Sequence, residues 1–208
     1  MALIDDVVLG LDRALRTLAT TPGAGRSNPA GGVDEAALSE AERGHAAGLM
    51  RVNHTGEICA QGLYEGQALA ARDPGTRETL LAAAQEETDH LAWCQERLDE
   101  LDAKPSVLNP LFYTASYAMG VVTGLLGDRV SLGFVEATED QVCRHLEAHM
   151  ESLPDQDAKS RAIIEQMHAD EARHGAEAMA RGGAEFPRPV KDLMTAVSRV
   201  MTETTYRG

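Results

Sequence analysis

Apolar positions recur at steps of three and four along most of this chain, the spacing of one face of an α-helix. Ile4, Val7, Val8, Leu11, Leu15 and Leu18 place an amphipathic helix over residues 3–19. The Gly- and Pro-rich stretch from Thr20 to Val33 reads as a flexible linker. Ser39 followed by Glu42 has the form of a capping box and opens a long helix to about Arg72, broken by Asp73-Pro74-Gly75. A second long helix extends from about Thr76 to Asp102, a third over 128–152, and a fourth from about Asp157 to Arg181, closed by Gly182-Gly183. Val190, Leu193, Val197 and either Val200 or Met201 mark a last amphipathic segment over 190–205. No stretch alternates with the period of a strand. The expected architecture is all-α: four long helices, flanking N- and C-terminal helices, and two units, 1–33 and 34–208.

Between the second and third long helices lie residues 105–127, which carry no charge. Twenty-three residues are enough to span a bilayer. Pro105, Asn109, Pro110 and Ser116 instead favour a buried crossover or a segment lying in a membrane interface. Phe112, Tyr113, Tyr117, Val121, Val122, Leu125 and Leu126 make it greasier than a plain connector needs.

Composition agrees with helices: 43% of the 208 residues are hydrophobic and only 4% aromatic. Thirty-three acids against nineteen Lys and Arg give a formal charge of −14, which excludes a phosphate-backbone binder and opposes anionic headgroups. Cys59, Cys94 and Cys143 lack CxxC spacing and read as reduced, buried thiols of an intracellular protein. The acidic N-terminus lacks the basic residues of a secretory or transit peptide.

Some of the acids occupy slots that belong to the core. Glu87 falls in the stripe Leu80, Ala84, Leu91, Cys94 and Leu98, and Glu139 in the stripe Leu132, Val135, Val142 and Leu146. Glu171 follows Ile164 and Met167 in the same way, and Glu57 lies with Met50, Tyr64 and Ala68. Glu87-Thr-Asp-His90 recurs as Glu171-Ala-Arg-His174, and residues three apart share a helix face. Glu57 and Glu87 are 30 residues apart about the Asp73-Pro74-Gly75 turn, and Glu139 and Glu171 are 32 apart about Pro154. Residues equidistant from the turn of an antiparallel hairpin lie at one height, so each hairpin sets a lone Glu level with an ExxH. Four carboxylates and two neutral imidazoles would neutralise two divalent ions, and oxygen-rich donors suit iron or manganese better than structural zinc. This is the ligand set of ferritin-like di-iron bundles. Glu86 and Asp170 are placed to reach the opposite histidine and fix its orientation. His54 reads as a hydrogen-bonded core or supporting residue, and His45, His145, His149 and His168 have no matching motif.

Arg51-Val-Asn-His-Thr-Gly-Glu57, the two ExxH motifs, Leu108-Asn-Pro-Leu-Phe112 running to Gly124-Leu-Leu-Gly127, and Glu139 resemble the COQ7 family over about residues 40–205. The resemblance implies a ferritin-like four-helix bundle with two ExxH hairpins and a long hydrophobic crossover. It implies a monooxygenase of ubiquinone biosynthesis that hydroxylates the benzoquinol ring of a polyprenylated demethoxyubiquinone precursor. By motif position Glu57, Glu87, His90, Glu139, Glu171 and His174 would be the iron ligands through which catalysis runs, with Glu87 and Glu171 bridging. O₂ would be co-substrate, and NADH is a candidate external reductant. The family points to peripheral association with the cytoplasmic side of a bacterial cell membrane and to other ubiquinone-biosynthesis proteins as partners, with no nucleic acid. Leu146 stands where some eukaryotic members carry tyrosine. The competing readings are an iron-storage or detoxifying ferritin-like protein, a quinone carrier and, disfavoured by the charge, a tRNA hydroxylase.

Overall fold

The computed structural model describes residues 2–19 and 23–207, with the backbone alone for residues 2–8 and Leu11. The apolar positions Ile4, Val7, Val8 and Leu11, and linker residues 20–22, therefore lie outside what is described. Among the described residues seven helices follow in order: α1 (Ala2–Ala19), α2 (Glu40–Ala70), α3 (Pro74–Glu100), α4 (Asn109–Leu125), α5 (Asp128–Ser152), α6 (Ala158–Ala180) and α7 (Arg188–Tyr206). The described residues form no strand. Helices α2/α3 and α5/α6 are the two expected hairpins, and together they make the bundle.

Local sequence explains where the helices begin. The capping box at Ser39 and Glu42 is present in full. Helix α3 starts earlier than the breaker reading placed it, because Asp73 is its N-cap and Pro74 its first residue. The Asp73 carboxylate accepts from the Thr76 backbone N–H at 2.8 Å, so the same triplet that ends one helix opens the next. Across the molecule, Asp128 at the head of α5 accepts from the backbone N–H groups of Arg72 and Asp73 at 3.0 and 2.9 Å, fixing one hairpin's turn to the other hairpin. At the opposite end the buried Arg97 donates to Asp157, the N-cap of α6, at 2.8 Å and to Ser160 Oγ at 2.9 Å.

The uncharged crossover is a helix, α4, laid along α2. Gly62 and Gly66 on α2 face α4, and Gly120 and Gly124 on α4 face α2, so the two backbones approach closely. A Cβ added at Gly62 would sit 2.7 Å from the Tyr113 carbonyl oxygen, and one at Gly66 or Gly120 would collide with backbone of the other helix. Leu111, Met119, Val122, Leu125 and Leu126 stay exposed on the far side of α4. Among the described residues no helix is long and apolar enough to cross a membrane.

Helix α7 returns along α2. Arg51 donates to the Tyr206 carbonyl at 2.9 Å, and the Tyr206 hydroxyl meets His45 Nδ1 at 2.6 Å. Nearby, His145 and His149 lie one turn apart on α5, ring centroids 4.1 Å apart and planes tilted by 56°. Burial, with His145 and His45 adding to it, pushes the His149 imidazole down to about 3. Cys94 is buried, Cys59 and Cys143 are half-buried, and all three are free thiols.

The glycine seam predicts that Gly66→Ala lowers stability by about 1–3 kcal/mol, the usual cost of overpacking. Gly44→Ala, on an open stretch of α2, should instead gain up to about 1 kcal/mol of helix propensity. Denaturant titration of the two variants reads this difference directly. A second expectation concerns acid. The folded-state value of His149 lies below its ordinary 6.5, so the unfolded chain binds the extra proton. Stability contributed by neutral His149 is present above about pH 6.5 and lost as pH falls towards 3. Denaturation midpoints measured across that window should fall less steeply in His149→Phe.

Candidate metal centre

The six predicted positions lie in the bundle interior: Glu57 on α2, Glu87 and His90 on α3, Glu139 on α5, and Glu171 and His174 on α6, none more than 5% exposed. Glu57, Glu87, His90 and Glu171 bring one donor atom each to within 4.8 Å of one another. His90 Nδ1 lies 2.9 Å from Glu87 Oε2, 3.1 Å from Glu171 Oε1 and 3.6 Å from Glu57 Oε2. His174 mirrors it, with Nδ1 3.1 Å from Glu171 Oε2 and 3.3 Å from Glu87 Oε1. Glu87 and Glu171 thus each face both imidazoles. Glu139 stands beside this group, its Oε1 accepting from the Tyr64 hydroxyl at 2.5 Å, and Tyr64 lies edge-on to His174. Tyr64 was assigned only to a helix stripe by the sequence. Its hydroxyl is polar chemistry hidden in a core position, and the one available signal is that it lies seven residues, two helical turns, after Glu57.

Both imidazoles turn Nδ1 inward and Nε2 outward. Asp170 accepts from His90 Nε2 at 3.0 Å, as the sequence led us to expect. Glu86 lies 3.4 Å from His174 Nε2, a looser approach that leaves this nitrogen without a hydrogen bond. His54 is buried but outside the cluster, its Nδ1 3.3 Å from Asn109 Nδ2, and burial pushes it down to about 4. His168 pairs with the exposed Glu147.

Electrostatics show what such a cluster demands. Burial pushes the Glu57 and Glu139 carboxyls well up, and the charges of Glu87 and Glu171 push the same way. For Glu87 burial acts upward too, but the neighbouring His174 and His90 outweigh it and hold the group low. Burial opposes charge on the imidazoles, yet contacts with Asp170, Glu171, Glu57 and Glu87 hold His90 well above its ordinary range, and Glu171 and Glu87 lift His174 to about 11. Positive charge inside the cluster is thus favoured, and divalent cations would supply it in place of protons. The residues fit such ions: carboxylate oxygens and imidazole nitrogens converge, and the buried Glu87 Oε1 lacks a hydrogen-bond partner. Donors of this kind suit iron or manganese.

Comparison with known proteins covers the whole chain. A family described as ubiquinone biosynthesis protein COQ7 matches residues 44–205. The chain is 55% identical over 208 residues to a 3-demethoxyubiquinol 3-hydroxylase of Marinomonas sp. (strain MWYL1), covering 100% of this chain and 99% of the relative. It is 57% identical over 205 residues to the protein of that name from Ectopseudomonas mendocina (strain ymp), covering 98% and 95%. A relative of that name from Ralstonia pickettii (strain 12J) is 53% identical over 216 residues, covering 99% and 100%. A match across the whole bundle, on a chain whose interior holds this Glu/His cluster, places the protein in the COQ7 family.

Proposed function

We propose that this protein is a di-iron monooxygenase that hydroxylates the ring of a polyprenylated demethoxyubiquinol in ubiquinone biosynthesis. The observation that carries the reading is the buried convergence of Glu57, Glu87, His90 and Glu171, continued by Glu139 and His174, in a chain similar throughout to hydroxylases of that name. Glu57 and His90 would hold one iron, Glu139 and His174 the other, with Glu87 and Glu171 between them. When bound, the ferrous pair supplies O₂ activation and electrons, which the side chains cannot. The net reaction replaces a ring C–H by C–OH, takes the second oxygen atom to water, and consumes two electrons and two protons from an outside reductant, for which NADH is the candidate.

The chain's own residues supply place and environment. Asp170 fixes the orientation of His90, and Tyr64 fixes Glu139. The Tyr64 hydroxyl is held protonated by burial and by the Glu139 charge, so it remains a donor. Beside the cluster, a cavity of about 400 Å³ is lined by Leu18, Ile58, Leu91, Val107 and Pro110, with His54, Gln95 and Asn109 as a polar edge. Ile58 and Leu91 directly follow the ligands Glu57 and His90. Its size suits a substituted ring, whereas the cavity by His174 and Arg173, about 140 Å³, is too small. The exposed apolar side chains of α4 flank this region and would lie against the lipid surface in which a polyprenyl substrate resides. With a net charge of −14, attachment to the cytoplasmic face of a bacterial membrane rests on apolar contact rather than on lipid charge. Other enzymes of ubiquinone biosynthesis are the expected partners.

Anaerobic addition of ferrous or manganous ion should raise the melting temperature of metal-free protein by several degrees, since ions that bind only the folded chain stabilise it. Glu87→Ala should remove most of that rise. For activity, iron-loaded protein given a short-tailed demethoxyquinol, reductant and ¹⁸O₂ should yield a product one labelled oxygen heavier. Glu171→Ala should bring turnover to background and lower bound iron while circular dichroism stays near wild type. Iron mineralisation without product would favour a storage protein instead.

A further inference from the structure

The two halves of the centre share one plan and differ in what holds the outer carboxylate. In each half the outward Nε2 of a histidine faces a carboxylate of the opposite hairpin: Asp170 for His90, Glu86 for His174. On the His174 side the carboxylate is held by a guanidinium one residue before that histidine, since Arg173 Nη2 donates to Glu86 Oε2. Superposing the motifs Glu87-Thr-Asp-His90 and Glu171-Ala-Arg-His174 sets Asp89 where the second copy has Arg173. The first half therefore carries a negative charge where its twin carries a positive one, next to a second carboxylate that must hold His90.

Arg173 reaches Asp170 Oδ1 only at 3.3 Å, and Arg26 holds this half more closely, from outside the bundle. It lies in the segment between α1 and α2, where composition alone indicates a linker. Its Nε donates to Asp89 Oδ2 at 2.7 Å and its Nη1 to Asp170 Oδ2 at 2.8 Å, so one guanidinium ties both acids. The Gly25 backbone N–H adds a bond to Asp89 Oδ1 at 2.6 Å. The guanidinium also sits over the Trp93 ring, 4.9 Å from its centroid, and Trp93 in turn packs against His90. Downstream, Asn28 donates to Glu96 at 2.6 Å and Ala30 enters the core. The segment is pinned at several points along α3, and Arg26 is its contact with the centre.

We infer that Arg26 is a positioning residue for the His90 half of the metal centre, supplied by the N-terminal segment in place of the arginine that the duplicated motif carries on its other half. It acts through Asp170, whose bond to His90 fixes the imidazole for metal. The inference rests on the metal-centre reading above. It predicts an asymmetric loss when the guanidinium is removed, because Arg173 still holds Glu86 beside His174.

The test is release of ferrous ion to a colorimetric chelator from anaerobically loaded protein, with the melting temperature of the metal-free chain as control. Wild type should hold two ions per chain. In Arg26→Gln one ion should leave about 10- to 100-fold faster and the other at the wild-type rate, the size expected for losing an outer partner of a ligand. Arg26→Lys should fall between, since an ammonium cannot hold both acids in the same fork. Adding Asp89→Arg to Arg26→Gln restores the arrangement of the other half and should recover slow release even if the single variant is less stable. Two ions leaving together in Arg26→Gln, at either the wild-type or a faster rate, would overturn the inference. Failure of wild type to retain a pair would overturn the metal reading itself.

Discussion

Four carboxylates at one level inside a helical bundle are an electrostatic demand that the rest of the molecule is arranged to meet. Buried acids repel one another and lose hydration, and nothing apolar can compensate them. The demand is met within the cluster by His90 and His174, each facing both Glu87 and Glu171. It is met around the cluster by the Tyr64 hydroxyl, by Asp170 and Glu86 behind the imidazoles, and by Arg26 and Arg173 behind those acids. Charge alternates outward from the middle, and each shell needs the next. Such an arrangement requires helices that keep their heights, which explains the ties at both ends of the bundle through Asp128 and Arg97.

Much of this was legible in the sequence because helices convert spacing into geometry. Glu57 with Glu87, and Glu139 with Glu171, stand equidistant from turns that Pro and Gly announce, so arithmetic on residue numbers places them together. Asp170 was readable for the same reason, being adjacent to Glu171 and one turn from a ligand. The missed features share a different cause: they depend on how separate segments approach. Gly62, Gly66, Gly120 and Gly124 are spaced four apart within each helix, but only the docked pair shows that backbone meets backbone there. Arg26 is 63 residues from Asp89 and 144 from Asp170, and its segment has no periodicity from which a contact could be read. Tyr64 fitted an apolar stripe, and its hydroxyl gave no sign of its partner.

The duplicated hairpins also show how near-symmetry accommodates a difference. Glu86 and Asp170 differ by one methylene, and their approaches to the histidines differ accordingly, 3.4 Å against 3.0 Å. The half with the closer approach is the one braced from outside the bundle. A cavity of useful size lies on this same side, bordered by His54, Ile58 and Leu91. The more firmly held imidazole is therefore the one nearest the proposed place of substrate.

The seam between α2 and α4 divides the crossover helix into two populations of residues with opposite freedom to vary. Gly120, pressed against α2, admits no side chain, since an added carbon meets that helix's backbone, and at Gly124 it would meet Ala70 Cβ at 2.7 Å. Positions on the outer side, such as Leu111, Val122 and Leu125, touch little protein and can exchange one greasy side chain for another without disturbing the bundle. Drift along the outer side of this helix is then free, while the inner glycine positions stay frozen by contact alone.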